Sequence, residues 1–203
     1  MNDIRVEDVV NHCVRDFFIN ACDFQQVYEE ILTLGYWIKG FAPNNILEIG
    51  SKGSTFFIFS KFSTGKKVAV DIADRRRDLH HFMFGEDFTF FVGNSQTEEM
   101  RNKVKEFCPE YDFIFIDGDH SYGGIKKDFE LYKELLSPRG YAVFHDIDPN
   151  HMFKGNLGGG DVWKFWEDLD YGSKTMIITQ KSSGVIKCFG VPERFGGIGL
   201  WNP

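Results

Sequence analysis

Apolar positions along the chain change their spacing once, near Pro43. Before that point they recur at helical intervals. Val6, Val9, Val10, Cys13, Val14, Phe17 and Phe18 form one stripe, and Phe24, Val27, Tyr28, Ile31 and Leu32 form a second. The first 40 residues are therefore expected to fold as two amphipathic helices. Asp23, with Gln26 three places on, has the spacing of a capping box for the second. Beyond Pro43, short apolar runs alternate with segments of helix length. The runs are Ile46–Ile49, Val68–Ile72, Phe88–Val92, Phe113–Ile116 and Tyr141–Phe144. Such alternation predicts βαβ units and a parallel sheet.

The fourth run, Phe-Ile-Phe-Ile, is apolar at both alternating positions, as a central strand covered on two faces requires. A helix carrying Ile125, Phe129, Tyr132 and Leu136 should follow and stop at Ser137-Pro138 and the turn at Gly140. The glycine-rich stretch from Asp148 to Gly160 reads as a mobile lid beside the fifth strand, with His151, Met152 and Phe153 able to reach inward. Val162, Phe165, Trp166 and Leu169 resume a helix, and Met176–Thr179 is a strand. The closing strand is either Val185–Phe189 or Ile198–Trp201. The expected organisation is a single domain over 1–203, with a helical cap over 1–42 and an α/β core over 43–203.

Composition narrows the function classes. With 42% hydrophobic and 26% charged residues the chain is ordinary globular material, and no apolar run approaches the roughly 20 residues of a membrane span. The first residues lack the order of a signal peptide, and four dispersed cysteines (Cys13, Cys22, Cys108, Cys188) signal neither a zinc knuckle nor a disulfide framework. A reducing cytoplasm is the expected home. The net charge of −7 disfavours a phosphate backbone as partner, and the one basic cluster, Arg75-Arg76-Arg77 with His80 and His81, reads as a solvated helix face. No nucleic-acid or membrane partner is expected, and a homo-oligomer stays open.

In an open parallel sheet, ligands bind beyond the carboxyl ends of the strands. After the first run comes Glu48-Ile49-Gly50-Ser51-Lys52-Gly53-Ser54, with Ser54 or Thr55 placed to cap the next helix. After the second comes Asp71, 21 positions past Gly50, a spacing that suits hydrogen bonds to ribose hydroxyls. After the third stand Asn94 and Ser95, and the Asn94 amide has the donor and acceptor needed to read an adenine edge. A dinucleotide would need G-x-G-x-x-G, and Lys52 and Thr55 occupy its second and third glycine positions. A nucleoside without phosphates, such as S-adenosylmethionine, imposes less on that loop, and its sulfonium is compatible with an acidic cleft.

The string Phe115-Ile116-Asp117-Gly118-Asp119-His120-Ser121-Tyr122, with Asp128, Leu135-Leu136-Ser137-Pro138, Gly140 and Phe144-His145-Asp146-Ile147, resembles class I S-adenosylmethionine-dependent methyltransferases. More narrowly it is similar to their small-molecule O-methyltransferase branch, which includes antibiotic-tailoring enzymes. Asp161-Val162-Trp163-Lys164-Phe165-Trp166 matches the helix that follows in that branch. The resemblance implies a Rossmann-like, doubly wound, mostly parallel sheet of seven strands, the last antiparallel. It also implies Glu48, Gly50, Asp71 and Asn94 as cofactor contacts; Ser51, Ser95 and Asp117, at the same strand ends, are further candidates for the cofactor site. The chain departs from the pattern at Lys52, where a glycine is usual.

Asp117, Asp119 and His120 follow the fourth run, and His145, Asp146 and Asp148 follow the fifth, so six ionisable groups should converge at one rim. The bland alternative is that Asp119 caps a helix and Asp146 and Asp148 shape turns. Two functional readings stand beside it. In one, Asp117 and Asp146, with His145, hold a divalent cation such as Mg²⁺, as the branch often does, to orient a small-molecule hydroxyl. In the other, His120 or His145 removes the hydroxyl proton as general base. A rival from another class is a non-catalytic scaffold that keeps the fold.

Overall fold

The computed structural model describes residues 4–20, 26–75, 83, 87–149, 160–178 and 196–203. Two helices, α1 (Val6–Asn20) and α2 (Tyr28–Phe41), precede an alternating core of β1 (Ile46–Ile49), α3 (Ser54–Ser60), β2 (Lys67–Asp71), β3 (Thr89–Val92), α4 (Glu98–Phe107), β4 (Tyr111–Ile116), α5 (Tyr122–Tyr132), β5 (Leu136–His145), α6 (Val162–Asp168), β6 (Ser173–Ile177) and β7 (Ile198–Asn202). The strands form one seven-stranded sheet in the order β3-β2-β1-β4-β5-β7-β6. The first five pair in parallel, and β7 runs antiparallel to both β5 and β6. The doubly wound sheet with an antiparallel last strand is thus present, and Ile198–Asn202 is the closing strand. The alternative, Val185–Phe189, lies outside the described residues, as do 150–159 of the proposed lid, Arg76, Arg77, His80 and His81 of the basic cluster, Cys22 and Cys188.

Alternation on β4 explains why this strand is central. Phe113 and Phe115 pack on one face with α1, α2 and α3, while Ile114 and Ile116 pack on the other with α4, α5 and α6. All four are essentially solvent-free, and truncating either Phe to Ala would cost about 3–5 kcal/mol. The N-terminal helices are part of this layer. Gly35 lets α1 and α2 close on one another, since a Cβ there would sit 2.6 Å from Val6 Cγ1.

Four boundaries differ from the pattern-based expectation. The second helix starts at Tyr28 after an extended Val27 that makes no side-chain cap, and Asp23 of the expected capping box lies outside the described residues. Acidic Glu29 and Glu30 in the first turn complement the dipole instead. For α3, Gly53 occupies the N-cap position and Ser54 and Thr55 lie inside the helix. Helix α5 ends at Tyr132, a 3-10 turn covers Lys133–Leu135, and Ser137-Pro138 lies within β5 rather than breaking a helix. A register shift between Tyr111 and Phe113 accommodates this stretch, and Ser137 Oγ donates to Asp112 Oδ1 at 2.7 Å. Finally, β6 begins at Ser173, three residues before the expected start. Cys13 and Cys108 are buried, their thiols donating to Ser54 O at 3.6 Å and Glu110 O at 3.2 Å, and among the described residues no helix is long and apolar enough to cross a membrane.

Candidate active site

Strand order reverses between β1 and β4, which opens a crevice at the carboxyl edge of the sheet. The strand ends there are stitched together: Gly50 N donates to Val70 O at 2.8 Å, Gly93 N to Asp71 O at 2.9 Å and Asp117 N to Ile49 O at 2.9 Å. Gly50 has φ +82°, and a Cβ on it would lie 2.3 Å from Asp117 O, so no other residue fits this crossing without displacing backbone. Above it lies a cavity of about 320 Å³. Gly50 and Lys52 of the first loop, Asp71 and Ile72 of the second, Asn94 to Gln96 of the third and Asp117 to Asp119 of the fourth line it.

Of the expected cofactor residues, Gly50, Asp71, Asn94, Ser95 and Asp117 line this cavity, whereas Glu48 and Ser51 stand behind it. Three of the lining side chains, Asp71, Asn94 and Asp119, are held by their own turns. Asp71 Oδ1 accepts from Ala73 N at 2.7 Å, Asn94 Oδ1 from Gln96 N at 2.9 Å and Asp119 Oδ1 from Ser121 N at 2.9 Å. Burial raises the Asp71 carboxyl above its ordinary value, while the Ala73 amide, Arg75 and Lys52 oppose the shift. Glu48 is sealed beneath. Its Oε1 accepts from Thr55 Oγ1 at 2.7 Å, and burial, reinforced by Asp117 and Asp71, pushes it up to about 8. It is a neutral carboxylic acid at neutral pH, which explains how an acid fits beside two others.

The rim on the other side of Asp117 joins β4 to β5. Asp117 Oδ1 lies 3.2 Å from His120 Nε2 and 3.3 Å from His145 Nδ1. Asp146 closes the group, with Oδ2 3.4 Å from His120 Nδ1 and Oδ1 3.3 Å from His145 Nδ1. To do so Asp146 adopts φ +64°, a left-handed conformation that Asp tolerates better than most residues. Burial works against the charge on Asp117 and Asp146, but the two imidazoles outweigh it and hold both acids low. Burial likewise opposes charge on His145, and Asp146 and Asp117 outweigh it, holding the ring well above its ordinary value.

Four of the six expected groups therefore meet. Asp119 instead serves the α5 entry: it bonds Ser121 N, while Ser121 Oγ, the cap itself, accepts from Gly124 N at 3.0 Å. Asp148 is buried at the edge, with its amide donating to Gly196 O at 3.1 Å. The set able to hold a cation is Asp117, His120 and Asp146, whose ligand atoms all lie within 4.8 Å of one another. His145 sits deeper, with Nδ1 shared between the two carboxylates. Two oxygens and one imidazole nitrogen suit a hard or borderline divalent cation. Pattern reading missed Gln26 as a site residue; its Nε2 donates to Asp117 Oδ2 at 3.2 Å across 91 positions of sequence. No local signal reports such a contact.

The fold is similar to that of solved structures. The fold matches that of an O-methyltransferase from Bacillus cereus in complex with SAH, at TM-score 0.64 and 18% identity, covering 100% of this chain and 92% of that one. It also matches the MycE methyltransferase of the mycinamycin biosynthetic pathway, in complex with Mg, SAH and mycinamycin VI. There the TM-score is 0.53 and the identity 15%, covering 72% of this chain and 40% of that one. A curated relative, the uncharacterized protein y4gI of Sinorhizobium fredii (strain NBRC 101917 / NGR234), is 26% identical over 151 residues, 66% of this chain. The match spans only 16% of that relative's length. Residues 47–147 match a family model described as a methyltransferase domain. The cavity-lining loops and the acid–histidine rim both lie inside that match.

Proposed function

We propose that the chain transfers a methyl group from S-adenosylmethionine to a hydroxyl of a small-molecule acceptor. The observation that carries this reading is the adjacency of a nucleoside-sized cavity, bearing Asp71 and Asn94, to the Asp117–His120–Asp146 rim. SAH in both solved neighbours, and Mg with a natural product in one, agree with it. In this reading Asp71 accepts from the ribose hydroxyls, Asn94 and Ser95 meet the adenine, and Gly50 admits the ligand close to the backbone. S-adenosylmethionine supplies an electrophilic methyl carbon on a sulfonium. The chain aligns the acceptor oxygen with that carbon, and alignment supplies much of the rate. Asp117, Asp146 and His120 fit a divalent cation, which would lower the pKa of the acceptor hydroxyl. His145, expected from sequence as the third ligand, is read here as the buried cation that holds the two carboxylates in place.

A metal-free route is favoured by a separate observation. His120 is about one-third exposed and reaches Asp117 through Nε2 and Asp146 through Nδ1; an acceptor hydroxyl that displaces one of these contacts would meet a ring nitrogen oriented by the other carboxylate, from which it can act as general base. The negative charge supports a small-molecule acceptor over nucleic acid, and residues 1–42 would cap a single domain on its acceptor side, in a cytoplasmic protein.

Calorimetric titration tests the proposal. SAH should bind, and Asp71→Ala should weaken it by about 1.5–3 kcal/mol through loss of a charged hydrogen-bond pair. NADH binding in place of SAH would overturn the cofactor. SAH binding without methyl transfer to any hydroxylated acceptor would leave the scaffold reading. Methyl transfer abolished by chelator and restored by Mg²⁺ selects the cation, and transfer that survives chelation selects the histidine base.

A further inference from the structure

We infer that Asp128 is a positioning residue of the cofactor site, the buried anchor onto which the Ser95–Gln96 wall of the cavity closes when the nucleoside is bound. The inference rests on the cofactor reading above. Asp128 lies on the inward face of α5, beside the core residue Phe129, and is entirely buried. Neither carboxyl oxygen has a hydrogen-bond partner among the described residues. A Cβ on Gly118 would lie 3.6 Å from Asp128 Oδ2, so the acid stands directly behind a glycine that lines the cavity.

The nearest donors belong to the same cavity. The Ser95 hydroxyl and the Gln96 amide already act on the Asp128 carboxyl as donors but stop short of a hydrogen bond of ordinary geometry, and both residues line the pocket. One turn further along α5, Tyr132 donates its hydroxyl to Ser95 O at 3.1 Å. The helix therefore reaches this wall at two places, one bonded and one not. Gln96 Nε2 meanwhile donates to Asp119 Oδ2 at 3.1 Å, so a small shift of the turn exchanges one carboxylate for another.

Energetics make the arrangement informative. Burial pushes Asp128 up to about 6, helped by Asp119 and opposed by the nearby Ser95 and Gln96. Above that pH it is a buried carboxylate on which no donor has closed, a costly state that packing alone would never require. Asparagine or leucine would serve a purely structural role better. A strong unpaired acceptor behind the cofactor wall is instead what a site needs if bound ligand is to complete the bond.

The full-length chain is compared with Asp128→Asn and Asp128→Ala at pH 8, by SAH calorimetry and by thermal unfolding without ligand. We expect opposite signs. The ligand-free Asn variant should melt about 4 °C or more higher, since an unpaired buried charge is removed. Both variants should bind SAH at least about tenfold more weakly, since the charge-assisted bond to the wall is lost. Unchanged SAH affinity overturns the inference, and so does weaker binding accompanied by a lower melting temperature or by failure to fold, which would mark a structural prop. A wild-type chain that binds no SAH overturns the cofactor reading and takes this inference with it. Wild-type binding with unaltered variants overturns this inference alone.

Discussion

The cavity and the rim share Asp117 but are built in opposite ways. Three cavity side chains, one from each of three loops, are pinned by a backbone amide two residues on: Asp71 by Ala73, Asn94 by Gln96, Asp119 by Ser121. The rim draws its groups from far apart. Asp117 and His120 come from the end of β4, His145 and Asp146 from the end of β5, and Gln26 from the segment ahead of α2. Further out, Glu30 Oε2 accepts from Gly197 N at 3.0 Å, tying α2 to the entry of β7. Local pinning lets each loop hold its shape alone, so cavity substitutions should act singly. Mutual pinning means that the loss of one rim member strands the others.

The largest expected effect tests that contrast directly. Asp117→Ala removes a carboxylate shared by two imidazoles and leaves both to Asp146 alone in a buried site, so stability should fall by about 3 kcal/mol and methyl transfer should vanish. Denaturant unfolding and a methylation assay measure the two. A variant that keeps wild-type stability would show the rim to be less coupled than its distances indicate.

Next in size is a pH effect from Glu48. The native state keeps this proton up to about 8, whereas the unfolded chain releases it near 4.5. Between those values the native state binds more protons, so stability falls as pH rises, by at most about 1.4 kcal/mol per pH unit. The contribution is fully present below the unfolded value and is lost as pH approaches 8. Glu48→Gln should flatten this slope in unfolding midpoints measured across that window. An identical slope in the variant would assign the dependence to another group.

The smallest effect belongs to the locally pinned class. Asn94→Ala removes one turn-forming acceptor and an adenine contact, and should weaken SAH by about 0.5–1.5 kcal/mol while leaving the unfolding midpoint nearly unchanged. A broad loss of stability in this variant would show that the third loop depends on the rest of the site after all.

Legibility in the sequence followed the same division. β1 and β4 were readable because they are buried on both faces, so every position carried an apolar signal except Glu48 and Asp112. β6 was displaced because Ser173 to Met176 are exposed, and its strand character comes from pairing with β7 rather than from its own side chains. The start of β5 was hidden by Pro138, which normally ends regular structure but here sits where the pairing with β4 is already irregular. The start of α2 was misread because Phe24 and Val27 extend its stripe, while Gln26 finds a carboxylate partner that no nearby residue announces.

What the sequence alone determined was therefore whatever depends on neighbours a few positions away. The βαβ alternation, the strand-end placement of Gly50, Asp71, Asn94 and Asp117, and the turns that present them all follow from local periodicity and short-range hydrogen bonds. Tertiary structure alone decided that Asp119 leaves the rim for the α5 entry, that His120 rather than the deeper His145 faces outward between two carboxylates, and that Glu48 holds a proton. It also placed Asp128, unbonded, behind the cofactor wall. These outcomes depend on burial and on partners from other strands. The same Asp or His is neutral or charged, ligand or prop, according to how much water the assembled sheet excludes and which opposite charge it brings within reach.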